Sequence, residues 1–179
     1  MRKPITSARL KEFMSALGSA VKSTANVYLV GGATAVLLDW RSSTIDVDLK
    51  LVPESDELLK SLPVLKERLE MNIELASPDH FIPVLPGWEQ RSLFIQRYGN
   101  LSFFHYDFYA QALAKIERGH AIDLVDVREM NNRRLLEPAR LLDLFSAIED
   151  ELYRYPAVDP SSFRQAVERI VGELTLPQN

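Results

Sequence analysis

The stretch VYLVGGATAVLLDWRSSTIDVDLKL, residues 27–51, decides how the rest of the chain is read. It opens on an apolar run, Val27 to Val30, that meets Gly31-Gly32 with no spacer. A short helical segment over Ala33 to Leu38 and a polar bend, Arg41-Ser42-Ser43-Thr44, come next. Ile45 to Leu51 then alternates apolar and charged residues at period two, the mark of a strand. Ile45, Val47, Leu49 and Leu51 are expected on one face, and Asp46, Asp48 and Lys50 on the other. The two carboxylates then stand roughly 7 Å apart along the strand. Like charges so placed are unfavourable unless water or a cation screens them. A hard divalent cation such as Mg²⁺ suits them, because it takes carboxylate oxygens and keeps positions open for phosphate. Gly31 and Gly32 permit a tight turn that brings N–H groups towards an anion, although any strand-to-helix turn favours glycine.

Strand, Gly-Gly turn, short helix and Asp-x-Asp strand, with thirteen residues between Gly32 and Asp46, resemble the signature of the nucleotidyltransferase fold, the polymerase-beta-like superfamily. The resemblance implies that Gly31 and Gly32 cradle a nucleoside triphosphate while Asp46 and Asp48 hold two Mg²⁺ ions. Many members carry Ser at the second turn position, where its hydroxyl grips phosphate; this chain has Gly32. Ser42, Ser43 or Thr44 can supply a hydroxyl from the bend, and Arg41 is a candidate phosphate contact or a surface arginine. More narrowly, the chain is similar to bacterial AbiEii-related proteins, the toxin class of type IV toxin–antitoxin systems.

The chain has 179 residues, 46% apolar and 26% charged, which suits one globular domain with a helical appendage. It contains no cysteine, so disulfides and thiolate metal sites are excluded. No apolar run approaches the ~18 residues of a membrane span, and Met1 to Pro4 leads into an amphipathic helix rather than a secretion signal. A cytoplasmic protein with no membrane partner is expected. A net charge of −4 argues against a broadly basic nucleic-acid surface.

Along the chain, Thr6 or Ser7 can cap a helix reaching about Lys22, with Leu10, Phe13, Met14, Leu17 and Val21 as its buried stripe. Ser55 can cap a helix near Asp56 to Lys60, and Pro63 is expected to start a second one running to Glu70. Met71 to Leu75 reads as a third strand. Residues 76–89 read as a loop, in which His80 and Trp88 either border a pocket or pack locally. Ser92 to Arg97 and Leu101 to Tyr106 form a predicted antiparallel hairpin, with Phe103 and His105 on one face and Phe104 and Tyr106 on the other. His105 is expected as a hydrogen-bonded core histidine, the alternative being a substrate contact. Helices follow over Phe108 to Arg118, stopped by Gly119, and over Ala121 to Asn131, with Asp123 and Asp126 on one face. Leu135 to Leu152 and Ser161 to Leu174, the latter capped by Asp159, complete the chain.

The family resemblance assigns further roles. Glu74 is the candidate third carboxylate, which deprotonates the attacking hydroxyl; Asp107 is the second choice, or a helix cap. Lys115, followed by Arg118 and Asp123-Leu-Val-Asp126, resembles a paired motif of AbiEii-like proteins that sets Lys115 near the phosphates with Asp123 beside it. A lysine among Ala112, Leu113 and Ile116 needs an anionic partner, either substrate phosphate or Asp123. The expected fold is α/β (α+β), a nucleotidyltransferase-like mixed sheet flanked by helices over residues 1–132, with a C-terminal helical extension over residues 133–179. The expected activity is transfer of a nucleoside monophosphate from an NTP to a hydroxyl of RNA or protein, toxin-like, with an antitoxin-like protein as a candidate partner. The alternative is a degenerate member that binds nucleotide or a protein without turnover.

Overall fold

The computed structural model describes residues 3–177. The chain folds into two compact units: one runs to Ser77 and resumes over Ser92–Tyr106, and the other comprises Pro78–Arg91 and the chain from Asp107 on.

The first unit holds the sheet. In chain order it contains α1 (Ser7–Ala20), β1 (Ala25–Val30), α2 (Gly32–Leu37), β2 (Asp46–Val52), α3 (Asp56–Arg68), β3 (Asn72–Leu75), β4 (Leu93–Tyr98) and β5 (Leu101–His105). The five strands lie in the order β3-β2-β1-β5-β4. β1 pairs antiparallel with β2 and parallel with β5, β2 pairs parallel with β3, and β4 with β5 is the expected antiparallel hairpin. The mixed sheet expected from the sequence is therefore present. One face of it, lined by Val27, Leu29, Val47, Leu49, Leu51, Ile73 and Phe103, forms a single core with the stripes of α1 (Leu10, Phe13, Met14, Leu17) and α3 (Leu58, Leu62, Leu65). Cross-strand partners share a face, so Tyr28, Lys50 and Phe104 lie on the other one. There Tyr28 stacks on Phe104 at 5.2 Å between ring centroids.

Two local expectations for the first unit fail. Residues 56–68 form one helix that carries Pro63 in its interior, not two helices. The missing N–H and the ring clash cost about 3 kcal/mol. Leu58, Leu62 and Leu65 keep their i, i+4, i+7 stripe in the core across the proline, and burying each contributes about 1.5–3 kcal/mol. Ile45 does not join the apolar face of β2: it precedes the strand and is 77% exposed. The backbone of Thr44 is drawn into an isolated antiparallel bridge with Ile5 instead, N–H to O at 2.8 and 3.0 Å.

The second unit is helical: a 3-10 turn (Pro78–His80), α4 (Trp88–Arg91), α5 (Phe108–Arg118), α6 (Ala121–Asn132), α7 (Pro138–Ile148), a second 3-10 segment (Glu149–Arg154) and α8 (Pro160–Thr175). Asp107 caps α5 by accepting from Tyr109 N–H at 3.2 Å, and Gly119 ends the helix at φ 72°. The helix expected over Leu135–Leu152 is shorter: it begins with Pro138 in its first turn, where a missing N–H costs nothing, and gives way to the 3-10 segment at Glu149. Phe145 on α7 meets Phe163 on α8 edge to face at 4.8 Å between centroids. No helix among the described residues is long and apolar enough to cross a membrane.

Candidate functional site

Register brings the sequence-predicted carboxylates of the first unit together. Asp48 on β2 stands opposite Val30, the last residue of β1 before the glycine turn, and opposite Glu74 on β3. Asp46 is paired with Asn72. Alternation along β2 leaves Val47, Leu49 and Leu51 buried in the core and Asp46, Asp48 and Lys50 half-buried on the opposite face.

Asn72 links the carboxylates directly. Its Nδ2 donates to Asp46 Oδ1 at 2.6 Å and to Glu74 Oε1 at 2.6 Å. The sequence reading does not single out Asn72, although its alternation with Glu74 is a usable signal: a parallel register sets both on the side of Asp46 and Asp48.

The turn closes the same end of the sheet. Gly31 adopts φ 61°, a left-handed conformation open to glycine, and a Cβ built on it would lie 3.6 Å from Asp48 Oδ2. Gly32 begins α2, and a Cβ there would overlap the Thr44 hydroxyl and lie 2.8 Å from Thr44 Cβ. Thr44 thus occupies the space that a side chain at residue 32 needs, and its hydroxyl donates to the Asp46 carbonyl at 3.2 Å. Ser43 and Arg41 lie half-buried in the bend between α2 and β2, with Arg41 N–H donating to Ala35 O at 3.3 Å.

Asp46, Asp48 and Glu74 offer hard carboxylate oxygens. Among the described residues no group of three or more His, Cys, Asp or Glu side chains is placed to hold a metal ion. Mg²⁺ does not demand one, since it is commonly bound through one or two carboxylates with substrate phosphates and water completing its octahedron. Asp46 and Asp48, half-buried on one face of β2, fit that two-carboxylate mode.

Lys115 and Asp123 belong to the second unit and meet in a buried ionic network. Lys115 Nζ donates to Asp123 Oδ1 at 3.0 Å and to Asp126 Oδ2 at 2.7 Å, with its side chain 7% exposed. Arg118 grips Asp123 with two N–H groups, at 2.7 and 2.6 Å. Burial pushes the Asp123 carboxyl up, but the hydrogen bonds from Arg118 and the charge and hydrogen bond of Lys115 outweigh it and hold it below the usual carboxylate range. Two cations balance two carboxylates here, as the burial of Lys115, Asp123 and Asp126 requires, while Arg118 reaches in from a half-exposed position.

Asp107 is fully buried and, besides capping α5, receives Arg91 Nε at 3.1 Å and Nη2 at 2.6 Å. His105, 3% exposed, is the core histidine expected: Nδ1 lies 3.1 Å from Thr34 Oγ1. The Thr34 proton goes to the Leu29 carbonyl at 3.2 Å, so His105 Nδ1–H is the donor in that pair. Burial lowers the imidazole pKa to about 4. His80 borders a cleft of about 360 Å³ in the second unit with Phe81, Glu117, Arg154 and Tyr155, whereas Trp88 is not among its lining residues.

No curated protein and no solved structure matches the chain. A family model does, over residues 8–163, which takes in the glycine turn, the Asp-x-Asp strand, Glu74 and the Lys115 network. The chain belongs to the family described as nucleotidyltransferase of unknown function (DUF6036).

Proposed function

We propose that the end of the sheet formed by the Gly31-Gly32 turn, Asp46, Asp48 and Glu74 is a metal-dependent nucleotidyl-transfer site: a hydroxyl of RNA or protein bonds to the α-phosphorus of an NTP, the bond from that phosphorus to the β-phosphate oxygen breaks, and pyrophosphate leaves. The observation that carries this reading is the register of β2. Asp48 faces both Val30, immediately before the turn, and Glu74, and Glu74 shares the Asn72 amide with Asp46.

Asp46 and Asp48 hold Mg²⁺ through their carboxylates. Bound there with the triphosphate, Mg²⁺ supplies charge neutralisation and lowers the pKa of the acceptor hydroxyl. Gly31 and Gly32 give the triphosphate close access to backbone N–H groups, and Arg41 and Ser43 reach it from the bend. Glu74 takes the proton from the acceptor hydroxyl; Asp107, committed to Arg91 and to the α5 cap, is the poorer candidate for that role. Lys115, steadied by Asp123, neutralises charge developing on phosphate; this part follows the AbiEii-like motif alone. The same resemblance supports a toxin-like role with an antitoxin-like protein as partner.

Calorimetric titration with each of the four ribonucleoside triphosphates, with and without Mg²⁺, tests the site. Metal-dependent binding that vanishes in Asp46→Asn is the expected result. Absence of binding to every triphosphate would sink the transfer reading and favour a degenerate member that binds a protein partner.

A further inference from the structure

We propose that Asn72 is a positioning residue for the divalent cation, setting the separation and orientation of the Asp46 and Glu74 carboxylates; this rests on the transfer reading above. Asp46 and Glu74 lie diagonally across β2 and β3, since Asp46 pairs with Asn72 and Asp48 with Glu74, and two like charges projecting from one face as diagonal neighbours about 7–8 Å apart repel. Here one amide nitrogen uses its two protons on two different carboxylates, each at 2.6 Å, which brings Asp46 Oδ1 and Glu74 Oε1 within twice that distance of each other. Both bonds go from a neutral amide to a carboxylate, and hydrogen bonds to an ionised acceptor are stronger than those between neutral groups.

The choice of residue matters chemically. Lys or Arg at 72 would also bridge the carboxylates, but each would add positive charge where a cation is to sit. A neutral amide holds them while leaving the negative charge of the site intact. Each carboxylate also has a second oxygen, Asp46 Oδ2 for the ion and Glu74 Oε2 for the proton of the acceptor hydroxyl. The register is what makes the bridge available, because Asn72 is the residue directly beside Asp46 and Glu74 the next one on that face of β3.

The test uses the full chain and Mn²⁺ as probe, with affinity read from paramagnetic relaxation and stability from melting in EDTA and in saturating Mn²⁺. Asn72→Ala should weaken Mn²⁺ roughly 10-fold, the effect typical of removing a partner that orients a metal ligand, while its melting temperature in EDTA stays near that of the parent. Asn72→Asp keeps the shape but replaces both donors with a third charge. It should melt lower in EDTA and recover the deficit in Mn²⁺, because the cation then holds the carboxylates together. Parental Mn²⁺ affinity in Asn72→Ala, or a deficit in Asn72→Asp that Mn²⁺ leaves untouched, would overturn the proposal while the transfer site stands. If the parent binds no Mn²⁺, or Asp46→Asn binds it equally well, the transfer reading itself fails and the role of Asn72 falls with it.

Discussion

Thr44 stands where a side chain on Gly32 would have to begin: a Cβ built on Gly32 lies 2.8 Å from Thr44 Cβ and overlaps its hydroxyl. Gly32→Ala should therefore cost about 1–3 kcal/mol, the usual range for overpacking. In a Thr44→Gly background the same change should cost much less. A double-mutant cycle by urea denaturation should return a coupling of about 0.5–3 kcal/mol between the two positions; additive losses would show that the turn relaxes around the new methyl group.

Asp48→Asn removes one of two like charges on neighbouring positions of one strand face. Its melting temperature should stay the same or rise, and Mg²⁺-dependent triphosphate binding should fall at least 100-fold by calorimetry, as loss of a direct metal ligand implies. A collapse of folding would instead make Asp48 a structural residue.

Lys115→Met fills the same space without the charge and leaves Asp126 deprived of a cation at 2.7 Å and Asp123 with Arg118 alone. Breaking one side of a buried ionic network costs about 3–5 kcal/mol, so chemical denaturation should show a loss of that size. Ligand binding separates the phosphate role: if Lys115 contacts the triphosphate, the variant should lose triphosphate affinity far more than nucleoside affinity. Equal losses would leave Lys115 a structural cation.

His105 makes stability fall on acidification. Its folded pKa, about 4, lies below the ordinary value of 6.5, so the unfolded chain takes up a proton first. Its contribution is whole above pH 6.5, declines as the pH drops towards 4, and amounts to a loss on the order of 3 kcal/mol at the lower end. His105→Gln keeps a donor for Thr34 and cannot titrate. Its stability between pH 7 and pH 4 should decline less than the parent's by about that amount, and parallel curves would contradict the assignment.

What the sequence reveals is what local physics decides. Asp46 and Asp48 announce their strand through period-two alternation, and α5 announces both its ends through Asp107 and Gly119. Where packing overrides a local rule, the sequence misleads: Pro63 looks like a boundary, yet the leucine stripe runs straight past it, and Ile45 looks like the next core residue, yet the bridge between Thr44 and Ile5 ends the alternation first. The role of Asn72 is hidden for another reason. It depends on a partner 26 residues away, and only the parallel register of β2 and β3 makes them neighbours.

The sheet order carries a consequence for synthesis on the ribosome. β1 needs β5 along one edge, from Ala25 beside Leu101 to Leu29 beside His105. Until those later residues emerge, a strand with buried Val27, Tyr28 and Leu29 offers a row of bare N–H and C=O groups to any neighbouring chain. At the usual pace of translation the wait is roughly 4 to 14 seconds. Soluble yield should thus depend on how fast codons between β1 and β5 are read, even when the finished protein is unchanged.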